Sequence, residues 1–427
     1  MTARLITPLE SPPDAVVVVP GSKSFTNRAL ITAALASGRS TLRGVLFSDD
    51  TEAMLSCLDS SGVVTVVDRV RCTVEVEGCG GLVPVPSATV NVRQSGTTAR
   101  FFAPFLALGH GSFTVDGDPQ MRARPMGDLV RALGDLGVRV EGVNERLPIT
   151  IVADGVVGGR ISVPGDVSSQ FLSGLLLSAP CFTTGLVVDV VGDLVSKPYV
   201  DMTIATMEAF GARVDRVGYE LFSVASGGYS ATDYVIEPDA SAASYFFGAA
   251  AMTSGRVRIE GLGTAALQGD VAFVDVLESM GVPVLRTPEA IEVDARSLAP
   301  DALHGVDVDM AHCSDTAQTL AAVAVFATGP TRVRGIGFIR RKETDRIAAV
   351  VTQLRRCGIR ADEHADGFTV FPGTPQPTQI ATYDDHRMAM SFALLGLRVP
   401  GISIENPGCV AKTFPTFFEV LETLRHG

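Results

Sequence analysis

The chain of 427 residues lacks any long hydrophobic run: stretches such as Leu320 to Ala327 are its longest, far below the ~18 residues a membrane helix needs. Residues 1–20 lack a basic start followed by an apolar core, so a cytoplasmic location is expected, with no membrane partner. Its seven cysteines are an odd number, with no Cys-x-x-Cys pair and no His/Cys cluster at zinc spacing. That argues against a disulfide framework and a structural metal, leaving reduced, mostly buried thiols as the expectation. Low-complexity tracts and long charge runs are missing too, which argues against disorder. A basic face is not to be expected at a net charge of −12, so nucleic acid is set aside as a partner. A small anionic ligand is not, because it responds to the local field of its cleft.

Familiar nucleotide and hydrolase motifs fail as well. The phosphate-binding loop needs Gly directly before its Lys, and Ser22 stands before Lys23. No Gly-x-Gly-x-x-Gly opens a helix after a strand. His386 beside Asp385 has no Gly-x-Ser-x-Gly elbow to complete a triad, and it has no second His for a metal.

What the chain does have is a phrase repeated six times: a small polar residue, an apolar helix, then Gly. The copies start at Ser22, Ser95, Ser168, Ser241, Ser314 and Asp384, with a period of about 73 residues. Each start is a good N-cap and each Gly a good helix terminator. A second helical segment follows in every copy, from "DDTEAMLSCLDSSGV" to "KTFPTFFEVLETL", and β-branched segments such as "SFTVDG" and "RVRIEGL" lie between. The unit therefore reads as mixed α/β, roughly βαβαββ, and at 46% hydrophobic the chain can bury large cores. Two domains of three units each are expected, 21–239 and 1–20 with 240–427. The chain crosses at "VVVVPGSK" and "YVIEPDAS", two similar extended segments that each end in Pro before a new first helix.

Cations recur where they should be disfavoured. Lys23 and Arg28 lie in the opening turns of "SKSFTNRALITAALASG", where the helix dipole opposes a positive charge by about 0.3–1 kcal/mol. Arg124, Lys342, Arg346, Arg387 and Lys412 sit near other helix starts. Anionic ligands gathered at those starts would compensate them.

The segments "PGSKSFTNRALITAALASG", "GDVSSQFLSGLLLSAP", "SKPYVDMT", "RRKETDRI", "DDHRMAM" and "AKTFPTFFEVL" resemble, in order and over nearly the whole chain, the motif set of the 5-enolpyruvylshikimate-3-phosphate (EPSP) synthase family. The resemblance implies the enolpyruvyl transferase fold: two domains, each of three βαβαββ units around a pseudo-threefold, closing on substrates between them. It also implies a reaction without cofactor between shikimate-3-phosphate and phosphoenolpyruvate, in a monomer, and a response to the inhibitor glyphosate. Carried over residue by residue, it puts Ser24 and Arg28 on the shikimate carboxylate. Ser168, Ser169, Ser196 and Lys342 surround the shikimate phosphate, with Lys23, Gln170, Tyr199 and Asp315 in the same pocket. Phosphoenolpyruvate lies against Gly96 and Gln170, with Lys23, Arg124 and Lys412 near its phosphate and Arg346 and Arg387 forking its carboxylate. Asp315 and Glu343 are the implied acid/base pair, assisted by Lys23, Lys412 and His386. A methyl at position 96 is expected to intrude on the phosphoenolpyruvate end, where glyphosate also sits.

Departures from the family pattern are Gln94, Thr98, Phe101 and Phe338, and they bear on inhibitor response and phosphate affinity. The enolpyruvyl transferase acting on UDP-N-acetylglucosamine is the nearest alternative, but residues 112–125 lack its reactive cysteine. A paralogue using another hydroxylated acid and a silent anion-binding scaffold are the remaining alternatives.

Overall fold

The computed structural model describes residues 3–299 and 302–425. Its chain divides into two compact units: residues up to Pro20 together with those from Pro238 onward, and Gly21–Glu237. Each has its own continuous apolar core.

Within Gly21–Glu237 the repeat is plainest in the copy that begins with the strand Gly159–Pro164. That strand runs parallel to Leu186–Val191 across the helix Ser169–Ser178, and Leu221–Val224 and Val214–Val217 close the sheet antiparallel. Alternation sets the register, since Ile161 and Val163 point inward while their neighbours face water. The copy from Ser87–Asn91 to Ile149–Asp154 has the same strand order.

The first copy is completed from far along the chain. Asp233–Val235 pairs parallel with Ala36–Arg43, supplying the strand that no residue before Lys23 supplies in this unit. In the other unit Asp14–Val17 does the same for Arg256–Glu260. The two crossing segments are thus held by ladder hydrogen bonds. Gly21 marks one crossing: a β-carbon there would lie 1.8 Å from the carbonyl oxygen of Gly44, so only glycine lets the backbones approach. The last copy is abbreviated to a three-stranded sheet of Gln379–Ile380, Ser403–Ile404 and Arg4–Leu5.

At the centre of each unit the helices that open the repeats pack on one another. In Gly21–Glu237 these are Lys23–Leu35, Gly96–Ala107 and Ser169–Ser178. Ala240–Met252, Ala317–Ala324 and His386–Gly396 fill the same role in the other unit. Every residue of Ala240–Met252 is buried, so it is covered on all sides rather than along one stripe. Small residues permit this: Ser244, Thr319 and Ser391, one from each helix, bond one another at 3.2 and 3.4 Å.

Three helix starts differ from the sequence expectation. Asp239, not Ser241, caps Ala240–Met252, its carboxylate accepting the Ala242 N–H at 2.8 Å, because the Ser241 hydroxyl is engaged by Asp270. Asp385, not Asp384, caps His386–Gly396, since Asp384 is left-handed at φ 55°. Ser314 lies inside a 3-10 turn, Ser314–Thr316, that precedes Ala317–Ala324. The cysteines all carry thiols, but only Cys57, Cys313 and Cys357 are fully buried. No helix among the described residues is long and apolar enough to cross a membrane.

The helices Gly96–Ala107 and Ser169–Ser178 touch backbone to backbone at Gly174, where a β-carbon would fall 2.2 Å from the Arg100 carbonyl oxygen. Gly174→Ala is expected to destabilise the protein by about 1–3 kcal/mol through overpacking, outweighing alanine's better helix propensity. Urea unfolding decides it, and an unchanged midpoint would mean that the two helices are not in such close contact.

Candidate active site

In the unit Gly21–Glu237, Ser22 caps its helix and Lys23 follows at once. The Lys23 ammonium is balanced by Asp50, 3.2 Å away in the first turn of Asp49–Ser60, where the helix dipole favours an acid. Arg28 is buried and held mostly by neutral groups. Its Nε donates to Thr203 Oγ1 (2.8 Å), Nη1 to the Ser24 carbonyl (2.9 Å) and Nη2 to the Tyr199 carbonyl (2.9 Å). The rings of Phe101 and Tyr199 lie 5.2 and 6.0 Å from its guanidinium carbon. Burial pushes its pKa down to about 10, against the pull of Tyr199 and Tyr234.

A second group gathers at the start of Gly96–Ala107. Arg100, four residues on from Gly96, donates to Gln170 Oε1 (2.6 Å) and to the Pro125 carbonyl (3.2 Å), and Gln170 reaches Thr97 Oγ1 at 3.4 Å. A β-carbon on Gly96 would meet Arg124 Nη1 at 2.7 Å and Arg100 Nη1 at 2.8 Å. The first protein atoms in the way of a methyl are therefore two guanidinium groups. Ser168 caps Ser169–Ser178 through the Gln170 N–H (3.3 Å). Ser196 is left-handed at φ 55°, a conformation costing about 1–3 kcal/mol in a non-glycine residue, directly before the helix Lys197–Ala209 that carries Tyr199.

The other unit joins Asp315, Lys342, Glu343, Arg346, His386 and Arg387. The Asp315 carboxylate accepts from Lys342 Nζ (2.7 Å), Arg346 Nη1 (3.1 Å) and Arg387 Nη2 (2.7 Å). Arg346, 1% exposed, also donates to Asp385 Oδ2 (2.7 Å) and Glu343 Oε2 (2.8 Å). Arg387 reaches Tyr245 Oη and Ser241 Oγ, each at 3.4 Å. Through these bonds the starts of all three central helices of the unit meet. Burial pushes the Asp315 carboxyl up, but Arg387, Lys342 and Arg346 outweigh it and hold the group well below the usual carboxylate range. Lys342 is lowered, chiefly by burial and in spite of Asp315.

Strained backbone frames this cluster. Tyr383 and Asp384 are both left-handed just before Asp385, and Asn406 is left-handed just before the 3-10 turn Pro407–Lys412. The Asn406 amide donates to the Asp384 carboxylate, tying the segment that bears His386 and Arg387 to the one that ends in buried Lys412.

The sequence does not single out Asp50, Arg100 or Asp270, and it offers Asp385 only as a neighbour of His386. Arg100 left a signal, a cation inside the otherwise apolar "TTARFFAPF".

Residues 10–421 match the family described as EPSP synthase (3-phosphoshikimate 1-carboxyvinyltransferase). The chain is 46% identical over 421 residues to a 3-phosphoshikimate 1-carboxyvinyltransferase of Trichormus variabilis, covering 98% of each. It is 43% identical over 411 residues to the protein of that name from Yersinia pseudotuberculosis, covering 95% of each. A solved EPSP synthase structure from Acinetobacter baumannii superposes with a TM-score of 0.84 at 25% identity, over 99% of this chain and 98% of that one.

A carboxyl whose pKa falls on folding contributes stability that is complete above its unfolded value, about 3.9, and is lost as pH drops through the lower folded value. Asp315→Asn should therefore flatten the fall of Tm below about pH 4 relative to wild type. Melts at closely spaced acidic pH values test this, and parallel curves would overturn it.

Proposed function

The chain belongs to the EPSP synthase family, and from that membership we propose that it transfers the enolpyruvyl group of phosphoenolpyruvate to the 5-hydroxyl of shikimate-3-phosphate, releasing phosphate, in the pathway to aromatic amino acids. The observation that carries the reading is the Asp315 carboxylate, ringed by Lys342, Arg346 and Arg387 with Glu343 on the same Arg346. That set supplies carboxylates for proton transfer and cations for anionic substrates.

In the addition step the 5-hydroxyl oxygen bonds to C2 of phosphoenolpyruvate while its proton goes to a carboxylate and C3 gains a proton. In the elimination step the resulting methyl loses a proton and the C2–O bond to phosphate breaks. Asp315 and Glu343 share these transfers. Lys23, Arg124 and Lys412 receive the phosphate charge, Arg346 and Arg387 take the carboxylate, and Lys342 with Ser168, Ser169 and Ser196 takes the shikimate phosphate. Ser24, Arg28 and Tyr199 hold the shikimate ring and its carboxylate, Gln170 bridges the two ligands, and His386 supports Arg387 from the preceding position.

Binding also readies the base. With Lys342 drawn to a ligand phosphate and Arg387 to a ligand carboxylate, Asp315 loses two of the cations that hold its proton affinity down, and burial then raises it. The same cytoplasmic enzyme would act as a monomer and need no cofactor.

Phosphate release should require both substrates, and UDP-N-acetylglucosamine should not replace shikimate-3-phosphate. Absence of release with both present would overturn the proposal. Gly96→Ala is expected to displace Arg124 and raise the KM for phosphoenolpyruvate roughly tenfold or more, the worth of one hydrogen bond to a charged group. Initial rates at varied phosphoenolpyruvate measure it, and an unaltered KM would remove Arg124 from the phosphate site.

A further inference from the structure

One buried carboxylate beside this cluster has no part in the chemistry above. Asp270 lies in the 3-10 turn Gly269–Ala272 and is 5% exposed. Its Oδ2 accepts the Ser241 hydroxyl, while its buried Oδ1 has no hydrogen-bond partner among the described residues. Gln268, two residues earlier, is engaged in capping, with Oε1 on the Ala240 N–H (3.0 Å) and Nε2 on the Pro238 carbonyl (2.7 Å).

Ser241 Oγ is the link. It sits 3.4 Å from Arg387 Nη2, the nitrogen that also donates to Asp315 Oδ2 at 2.7 Å. We propose that Asp270 is a positioning residue that acts through the Ser241 hydroxyl to set how firmly Arg387 is held back from its ligand. This rests on the assignment of Arg387 to the phosphoenolpyruvate carboxylate.

The physical argument is competition for one guanidinium. Two carboxylates, Asp270 and Asp315, flank Arg387, and a carboxylate ligand would be the third. Like charges in a buried site cannot all ionise cheaply. The groups facing Asp270 are Asp239 at the start of Ala240–Met252, Asp315 in Ser314–Thr316, Cys313 just before it, and Arg387. Asp275, on the helix that follows Asp270, faces Cys313 as well. Burial, and then the charge of Asp315, push the Asp270 carboxyl up to about 7, against the pull of Arg387. Below that pH it is a neutral acid, and Arg387 is released to an incoming carboxylate. Above it the anion pulls Arg387 toward Ser241 and repels the anionic ligand.

The sign follows. KM for phosphoenolpyruvate should rise as pH increases through about 7, by about fivefold or more, the lower end of ordinary coupling between sites. Asp270→Asn is neutral at every pH and should lose that rise, with the difference in KM rather than kcat. Titration of the ligand itself is common to both proteins and cancels in the KM ratio. Ser241→Ala breaks the link and also removes the hydroxyl that holds the Asp270 carboxyl down, so that the acid is pushed further up; both effects should flatten the profile, which keeps the proposal testable if Asp270→Asn fails to fold. Steady-state kinetics from pH 6 to 8.5 provide the test. A KM ratio of wild type to either folded variant that stays constant with pH would overturn it, as would a loss confined to kcat. Failure of the underlying reaction assignment would look different, with no phosphate released by wild type at any pH.

Discussion

A helix buried on every side can place charge only at its ends, and this constraint orders the rest of the structure. The central helices of each unit leave no polar stripe along their lengths. Their caps and opening turns therefore carry the charged side chains, while Ser244, Thr319 and Ser391 are satisfied by bonding one another, and packing the helices together brings those starts into one cluster. In the unit from Pro238 onward the convergence is literal, because Ser241, Asp315 and Arg387 belong to three different helix starts and are joined by hydrogen bonds.

The two units solve the problem of buried cations differently. Arg28 is held by carbonyls, a hydroxyl and ring faces, so much of its positive charge remains for an anion. Arg346 is instead surrounded by Asp315, Glu343 and Asp385, and Arg387 lies on Asp315. Removing one partner from such a buried set costs about 3–5 kcal/mol, because the other charge is left uncompensated. That cluster is electrically closed, and an anion enters it by competing for cations already engaged. Competition of this kind couples ligand binding to the proton affinity of Asp315, which a loosely solvated carboxylate would not show.

Much of this was legible in the chain. The period near 73 residues, the apolar helices and the alternating strands follow from local rules, since hydrophobic periodicity reports burial directly. Boundaries were less secure where two capping residues stood within two positions of each other. Asp239 competes with Ser241, and Asp384 with Asp385; the first choice depended on Asp270, 29 residues along the chain from Ser241, and the second on a left-handed backbone at Asp384. Motif resemblance named Asp315, Glu343, Arg346 and Arg387. It did not show that they are bonded to one another.

The sequence by itself determined the repeat, the identity of the central helices, and the residue types gathered at helix starts. Each of those is a property of spacing along one segment. Tertiary structure alone decided which strands complete the first and fourth copies, where Asp233–Val235 and Asp14–Val17 are joined to partners roughly 190 and 240 residues away. It alone assigned Asp50 to Lys23, Gln170 to Arg100, Asp385 to Arg346 and Asp270 to Ser241. A charge is indifferent to distance along the chain. Its partner is whichever opposite group the packing of apolar helices brings within about 3 Å, and nothing in the local pattern encodes that meeting.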